Sequence, residues 1–301
     1  MKMQNATAAA MTPAFDVIVC GSIHLDIVVD SLRLPRLDET VQGSFWKKIC
    51  GGKGGNQAVM AAKSGATCAM IGRVGADDFG QTLVANLRSN TVNTDYVSVD
   101  QKIGTGMSVA IVERDGDYGA VIVSGSNLTL QPESAVAAWQ KLGGAKILIL
   151  QNEISEAVNI AVARAAKSVG ACVLLNAAPA LQLSSELSDL VDLLVVNRVE
   201  AEMMTGQPVN GKATALKVLS TLARKNKAVI ITLGGLGLVF QTRDGLSLFV
   251  EPHKVTVRST HGAGDCFIGV LAQALANGAE LADACNKANL KAASFVAGRN
   301  L

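Results

Sequence analysis

From Phe15 onward the sequence alternates short apolar runs with longer alanine-rich amphipathic runs. The first cycle reads FDVIVCG, NQAVMAAKSG and ATCAMIGRVG, and the rhythm returns at KILILQ, DLLVVN and KAVIITLGG. The apolar runs have the length of buried strands, because a bilayer needs about 18 consecutive apolar residues. Strands that alternate with amphipathic helices pair in parallel and are covered on both faces. The sequence therefore predicts an α/β fold with a doubly wound, mainly parallel sheet flanked by helices.

Two stretches, 25–50 and 105–123, break this rhythm. They show alternation of apolar and polar residues with a period of two, a proline and a Glu-Arg-Asp-Gly-Asp turn, which are typical of antiparallel hairpins. We expect them to form a small antiparallel β lid, although they could also extend an edge of the main sheet. One face of such a lid needs cover from a ligand or from the same lid of a second subunit, which predicts a homodimer.

Residues 15–301 are expected to form one large domain after a disordered tail at 1–14, which lacks the apolar core of a secretory signal. The chain is 49% apolar and 17% charged, which is enough to bury a large core. Its 27 basic and 25 acidic residues include no basic run, so we expect neither nucleic acid nor a membrane surface as a partner. The six cysteines form no C-x-x-C pair, which indicates reduced thiols in a cytoplasmic protein without a zinc site.

The strongest local signal is the segment Ser-Thr-His-Gly-Ala-Gly-Asp at 259–265, which precedes an apolar helical stripe. The backbone amides of Gly262, Ala263 and Gly264 then lie at a helix N-terminus, where they and the helix dipole stabilise an anion. Asp265 projects from the same turn, where a carboxylate suits removal of a proton from an attacking hydroxyl. The alternative is that Asp265 only caps the helix.

A glycine-rich segment, Gly-Gly-Lys-Gly-Gly-Asn-Gln at 51–57, lies where the first lid hairpin returns to the core. Its glycines permit a hinge and a close approach of backbone to ligand, while Lys53 and Asn56 offer donors to hydroxyl oxygens. It is not a Walker A loop, because no Ser or Thr follows the lysine.

Six motifs in order carry a resemblance to a known family. They are GSIHLD at 21–26, GGKGGNQA at 51–58, LQNE at 150–153, NRVE at 197–200, TLGGLG at 232–237 and STHGAGD at 259–265. Together they closely resemble the ribokinase branch of the PfkB carbohydrate kinases over about residues 15–300.

The resemblance implies a sugar pocket in which Asp26 receives two hydroxyls. His24 stands where ribokinases commonly have asparagine, so the hydroxyl that it contacts could differ. Each sugar hydroxyl needs a fixed partner, because a buried unpaired one costs about 1–3 kcal/mol. Glu153 could instead be a solvated charge at a strand end. The remaining residues that the resemblance places in this wall are Gly52, Lys53, Asn56 and Glu153.

The resemblance also implies sites for ATP, Mg²⁺ and K⁺. Asn197 and Glu200 match an N-x-x-E motif that acts on Mg²⁺ and the phosphates through water, which suits an ion that keeps most of its waters; they could otherwise only begin a helix. Ser259 and His261 match the cation loop, but Ser259 replaces the usual aspartate, and family members complete the loop with a segment beyond the position of Leu301, so K⁺ activation stays open. The positions matched to ATP are Asn197, Thr232, Gly234, Gly235, Gly237 and Asn289, the last of which could equally be a surface residue.

These assignments imply in-line transfer of the γ-phosphoryl group of ATP to the 5-hydroxyl of ribose. Asp265 would take the proton, and the Gly262 to Gly264 amides would hold the developing charge. Kinases for deoxyribose, another small sugar or a nucleoside are the alternatives within the same chemistry. A sugar-binding regulator that has lost turnover is the alternative from another class.

Overall fold

The computed structural model describes residues 13–113, 118–223 and 228–299. The strands are β1 (Phe15–Cys20), β2 (His24–Ser31), β3 (Gly43–Gly51), β4 (Cys68–Gly75), β5 (Asn93–Asp100), β6 (Gly106–Glu113), β7 (Tyr118–Val123), β8 (Ala145–Gln151), β9 (Cys172–Asn176), β10 (Leu193–Asn197), β11 (Ala228–Thr232), β12 (Leu238–Gln241) and β13 (Ser247–Val250). The helices are α1 (Lys53–Lys63), α2 (Asp78–Ser89), α3 (Pro132–Lys141), α4 (Glu156–Ser168), α5 (Ser185–Leu190), α6 (Arg198–Thr205), α7 (Lys212–Leu222), α8 (Ala263–Ala276) and α9 (Leu281–Val296).

A sheet of nine strands forms the centre of the molecule, in the order β13-β12-β11-β10-β9-β8-β1-β4-β5. The pairings from β5 through to β11 are parallel, whereas the pairings β11–β12 and β12–β13 are antiparallel. Apolar runs without polar interruption produce this arrangement, because a parallel sheet is buried on both faces. The predicted doubly wound, mainly parallel sheet is therefore confirmed.

Successive residues of the central strand β1 contribute to two separate cores. Val17 and Val19 pack in one hydrophobic cluster with α1, α8 and α9, while Ile18 and Cys20 pack in the other with α3 and α4. Side chains alternate between the faces of a strand, so one short apolar run serves both layers of helices. The helices α1 and α8, which carry the site described below, thus share one face of the sheet.

The second sheet has four strands in the order β3-β2-β6-β7 and is separate from the main sheet. The pairs β2–β3 and β6–β7 are antiparallel, as expected for two hairpins, but the central pair β2–β6 is parallel. The two hairpins lie side by side with their first strands running in the same direction, so the small sheet contains one parallel pairing between two antiparallel ones. The predicted turn between its last two strands falls on 114–117 and the predicted tail falls largely on 1–12, both outside the described residues.

None of the helices in the described ranges combines the length and the apolar character needed to cross a bilayer.

Candidate active site

Asp265 lies in the first turn of α8 and is only 7% exposed. Its Oδ2 accepts a hydrogen bond from Asn56 Nδ2 at 2.9 Å, and its Oδ1 accepts one from Gln57 Nε2 at 2.9 Å. Burial raises the pKa of this carboxyl, while Lys53 and the two amide donors oppose that rise. Both carboxylate oxygens thus bond to α1, and none of the described side chains caps the N-terminus of α8, so the alternative in which Asp265 only caps its own helix is wrong.

The N-terminus of α8 presents backbone amides beside this carboxylate. Gly262 precedes the helix with φ of 78°, a left-handed conformation that glycine adopts at little cost. Within the described residues no backbone carbonyl accepts from the amides of Gly262 or Gly264. The Ala263 amide, in contrast, donates to the Thr260 carbonyl at 3.2 Å and closes a turn. Of the three amides predicted to hold an anion, those of Gly262 and Gly264 thus stay open toward the cavity, whereas the Ala263 amide has a partner within the protein.

A cavity of about 200 Å³ opens at the carboxyl ends of the parallel strands, where open α/β sheets bind ligands. The last residues of β10 and β11, Asn197 and Thr232, are paired in register there. Among the residues predicted from the sequence, the cavity is lined by Lys53, Asn197, Glu200, Thr232, Gly262, Gly264 and Asp265. A second cavity of about 320 Å³, between α5 and α7, is lined by uncharged residues and offers no group for acid–base chemistry.

The glycine-rich segment allows the start of α1 to press against the connection between β1 and β2. A Cβ on Gly52, whose φ is 84°, would lie 2.6 Å from the His24 backbone nitrogen, and one on Gly54 would lie 2.7 Å from the Ser22 carbonyl oxygen. The Gly55 amide donates to the same carbonyl at 2.9 Å. These glycines thus let two backbone segments of the protein approach each other, which places Lys53 and Asn56 at the cavity end of α1. The hinge and the close approach to a ligand stay predictions.

The helices α1 and α8 also meet at a glycine. A Cβ on Gly269 would lie 2.6 Å from the Ala61 backbone nitrogen and 2.8 Å from the Gln57 carbonyl oxygen. This close crossing brings the side chains of α1 within hydrogen-bonding distance of Asp265.

The side chains predicted for the sugar wall lie at the junction of the two sheets. Asp26 accepts a hydrogen bond from Ser108 Oγ at 2.5 Å, and its Oδ2 lies over Gly51, where an added Cβ would be 2.1 Å away. His24 is 4% exposed, and its Nε2 has no hydrogen-bond partner among the described residues. A buried imidazole nitrogen without a partner is costly, so a ligand hydroxyl would satisfy it.

Glu153 connects the sugar wall to α1. It accepts hydrogen bonds from the Ser22 hydroxyl and, at 3.1 Å, from the Lys53 amide, and the Lys53 ammonium lies 4.0 Å from it. Its charge also raises the pKa of Asp265. The alternative that Glu153 is a solvated strand-end charge is therefore wrong.

Asn197 and Glu200 form a reciprocal capping box at the start of α6. Asn197 Oδ1 accepts from the Glu200 amide at 2.9 Å, and Glu200 Oε2 accepts from the Asn197 amide at 2.7 Å. This leaves Asn197 Nδ2 and Glu200 Oε1 without a hydrogen bond in the described parts of the chain, and both residues line the cavity. Burial raises the pKa of Glu200, while the Asn197 amide and Lys53 lower it. The two roles weighed from the sequence, beginning a helix and facing phosphates, are thus compatible in one pair.

The other residues matched to ATP and K⁺ do not line this cavity. Asn289 Nδ2 donates to the Glu251 carbonyl at 2.9 Å, which ties α9 to the segment after β13. Ser259 and His261 are exposed, and the Ser259 hydroxyl accepts from the His261 amide at 3.3 Å. The glycines Gly234, Gly235 and Gly237 form the turn after β11.

Three buried amides near the site have no role in the sequence-based prediction. Gln57 and Gln151 are fully buried and contact each other, and Asn176, at the end of β9, is 8% exposed and lines the cavity. Gln57 and Gln151 belong to two of the motifs quoted above, but the sequence alone does not show whether their amides are buried or exposed. Gln57 lies near the start of α1 and Gln151 at the end of β8, and this position near the site is the signal that could have identified them.

Comparison with known proteins gives one consistent result. The model of the family described as "pfkB family carbohydrate kinase" matches residues 14–300. A ribokinase of Mus musculus is 36% identical over 263 residues, which cover 86% of this chain and 81% of the relative. A deoxyribokinase of Salmonella typhi is 33% identical over 286 residues, which cover 94% of this chain and 93% of the relative.

A solved structure of Arabidopsis thaliana ribokinase, complexed with ribose and ATP, is similar to the whole fold. It has a TM-score of 0.86 and 28% identity, and the match covers 95% of this chain and 93% of that chain.

Proposed function

Because the chain belongs to the pfkB family of carbohydrate kinases and is an ATP-dependent carbohydrate kinase, we propose that it phosphorylates D-ribose at the 5-hydroxyl. The observation that carries this proposal is the buried Asp265 carboxylate, held by two side-chain amides next to open backbone amides. A hydroxyl acceptor needs a base at that place, and a transferring phosphoryl group needs fixed donors beside it.

Asp265 acts as the general base. Its raised pKa makes it a better proton acceptor than an exposed aspartate, while its two amide donors keep the charged form accessible. As the hydroxyl oxygen attacks the γ-phosphorus, its proton passes to the carboxylate, and the bond from that phosphorus to the β–γ bridging oxygen breaks, so that ADP leaves. The transition state is loose, so positioning and electrostatic stabilisation supply most of the acceleration.

The amides of Gly262 and Gly264 and the ammonium of Lys53 face the place where negative charge develops. Lys53 lines the same cavity as Asp265 and opposes the rise that burial causes in the pKa of both Asp265 and Glu200, so its positive charge acts on this whole region. Backbone donors held by a helix need no reorganisation when the charge forms.

Asn197 and Glu200 fit a hydrated Mg²⁺, because the capping box leaves one amide nitrogen and one carboxylate oxygen free toward the cavity. Bound Mg²⁺ supplies positive charge that neutralises the β and γ phosphates. For K⁺ the described loop offers the backbone carbonyls of Ser259 and His261 without a carboxylate, so no step of the reaction is assigned to it.

Deoxyribose is the second candidate acceptor, since a deoxyribokinase is among the similar proteins. The unpartnered Nε2 of His24 favours ribose, because each additional hydroxyl can satisfy a buried polar atom of this wall.

An acceptor panel tests the substrate. ADP production is measured with ribose, deoxyribose, fructose and adenosine, each with and without K⁺. We expect ribose to give the highest kcat/KM. If adenosine outperforms every free sugar, the ribose assignment fails.

The substitution Asp265→Asn tests the base. We expect kcat to fall by about 10²–10⁴-fold, while calorimetry shows that ribose still binds. Asp283→Asn is the matched control, because Asp283 occupies the corresponding first-turn position of α9 but is exposed. An unchanged kcat in Asp265→Asn would contradict the proposed mechanism and favour a protein that binds sugar without this chemistry.

We also propose that the small sheet mediates a homodimer. Its strands expose Phe45, Trp46, Val121 and Ile122, each by more than half, which is costly for a surface that faces water. Sedimentation should show a dimer that Val121→Glu weakens, whereas Val169→Glu, at an exposed apolar position beyond α4, should not. A wild-type chain that sediments as a monomer at every concentration contradicts this part.

A cytoplasmic location is also part of the proposal. It is supported by the six cysteines, none of which is paired in a disulfide in the structure.

A further inference from the structure

Two glutamine side chains are fully buried behind the carboxylate of Asp265. Gln57 belongs to α1 and Gln151 is the last residue of β8, and both are 0% exposed. Burying an amide costs free energy unless hydrogen bonds replace those to water. Neither residue lines the cavity beside Asp265, so any effect of theirs on the reaction would pass through that carboxylate.

The two amides and the carboxylate form one directed chain of hydrogen bonds. Gln151 Nε2 donates to Gln57 Oε1 at 2.8 Å, and Gln57 Nε2 donates to Asp265 Oδ1 at 2.9 Å. An ionised carboxylate only accepts, so Gln57 must present its NH₂ group to Asp265. Its carbonyl oxygen then has to face a donor, which Gln151 supplies. Gln151 therefore prevents the Gln57 amide from turning over.

The Gln151 side chain, whose Oε1 has no hydrogen-bond partner among the described residues, is held by the packing around it. Asn159 Nδ2 donates to the backbone carbonyl of Gln151 at 2.8 Å, which fixes the main chain at the end of β8. Gly21 lies against the Gln151 side chain so closely that an added Cβ would be 1.8 Å from Gln151 Oε1. The Gln151 amide thus has little room to adopt another rotamer.

We infer that Gln57 is a positioning residue for the phosphoryl transfer, which fixes the Asp265 carboxylate for proton removal, and that Gln151 fixes the Gln57 amide. The inference rests on the proposed function of Asp265. With Oδ1 bound from behind by Gln57, the plane of the carboxylate is set, and Oδ2, which Asn56 contacts, remains directed to the sugar side. The Gln57 hydrogen bond also opposes the effect of burial on the pKa of Asp265.

The test replaces Gln57 by methionine, which has a similar length but cannot hydrogen-bond to Asp265. We expect kcat to fall by between about 10- and 100-fold, while the KM values for sugar and ATP stay within about twofold, because Gln57 touches neither. The acid limb of the kcat–pH profile should move up by about one pH unit, since the charged carboxylate loses a donor. A normal kcat with an unshifted limb overturns the inference.

Gln151→Met extends the test to a residue that does not touch Asp265. Alone, Gln151→Met should lower kcat and raise the acid limb of the pH profile, both by less than Gln57→Met does. Added to Gln57→Met it should have no further effect, because the chain is already broken; an effect of full size in that background overturns the inference. If Gln57→Met fails to fold, as judged by circular dichroism, a normal kcat and pH profile in Gln151→Met alone overturns it.

Gln273→Met is the matched control for burying a methionine in place of a glutamine. Gln273 is buried on the same helix as Asp265 but hydrogen-bonds to Lys287 instead. Its kcat and pH profile should be those of the wild type, and a shift like that of Gln57→Met overturns the inference. Failure of the proposed function looks different: the wild type would show no sugar-dependent ADP production, or Asp265→Asn would keep its kcat.

Discussion

The substitution Gly269→Ala tests whether the close crossing of α1 and α8 sets the geometry of Asp265. The new methyl group would lie 2.6 Å from the Ala61 backbone nitrogen, where a normal contact is 3.4–4 Å. The obstructing atoms include backbone, which a side-chain rotation cannot remove. The two helices must therefore separate by about 1 Å.

That separation changes the site in a calculable way. The bonds from Asn56 and Gln57 to Asp265, both 2.9 Å, would lengthen to about 3.9 Å, which is beyond hydrogen-bonding range. A displacement of this size costs on the order of 100-fold in kcat. The free energy of unfolding should fall by no more than about 2 kcal/mol. Overpacking costs about 1–3 kcal/mol, but alanine is more favourable than glycine inside a helix by about 1 kcal/mol, which offsets part of that cost.

Steady-state kinetics and urea denaturation of the same preparation measure both quantities. Gly211→Ala is the control, since a Cβ there meets nothing within 4 Å and the φ of 168° is ordinary extended backbone. The control should match the wild type in kcat. A Gly269→Ala protein with kcat within about twofold of the wild type would refute the claim that this crossing positions the base.

Three further predictions concern the same site. The kcat of the wild type should fall as the pH is lowered through the raised pKa of Asp265, because protonation removes the base; the acid limb then lies above the usual aspartate value of about 3.9, and a plateau down to pH ~4 argues against this. Gly51→Ala should raise the KM for sugar about 10-fold or more without changing the KM for ATP, because its Cβ would lie 2.1 Å from Asp26 Oδ2; equal changes in both KM values in steady-state assays would contradict it. Asn197→Ala should lower the free energy of unfolding in urea by about 1 kcal/mol and raise the KM for Mg-ATP, and the idea fails if both stay unchanged.

The main sheet could be predicted because the apolar composition of its strands shows that both of their faces are buried. A run such as Val17–Cys20 has no polar residue to face water, so burial on both sides and parallel pairing follow. The small sheet was predicted as two hairpins for a similar local reason. Its parallel central pairing could not be predicted, because it depends on how β2 and β6, which are far apart in sequence, leave the main sheet.

The candidate site likewise contains residues that a local pattern identifies and residues that only long-range packing brings together. Asp265, Gly262 and Gly264 could be identified because a helix N-terminus with small residues has a local signature, but the turn that engages the Ala263 amide could not. Gln57 was missed as a partner of Asp265 for a different reason: it lies 208 positions from Asp265 and 94 from Gln151. No local pattern specifies a hydrogen bond over that distance, and only the packing of α1 against α8 and β8 reveals it.

Asn197 and Glu200 initiate α6 through their capping box, and the proposed contact with phosphates places a second demand on the same two side chains. A random change at either position is then penalised twice, by slower turnover and by a frayed α6. Val199 and Met203, exposed on the same helix, carry neither demand. We therefore expect a saturation library of α6 to tolerate many residues at 199 and 203 and very few at 197 and 200.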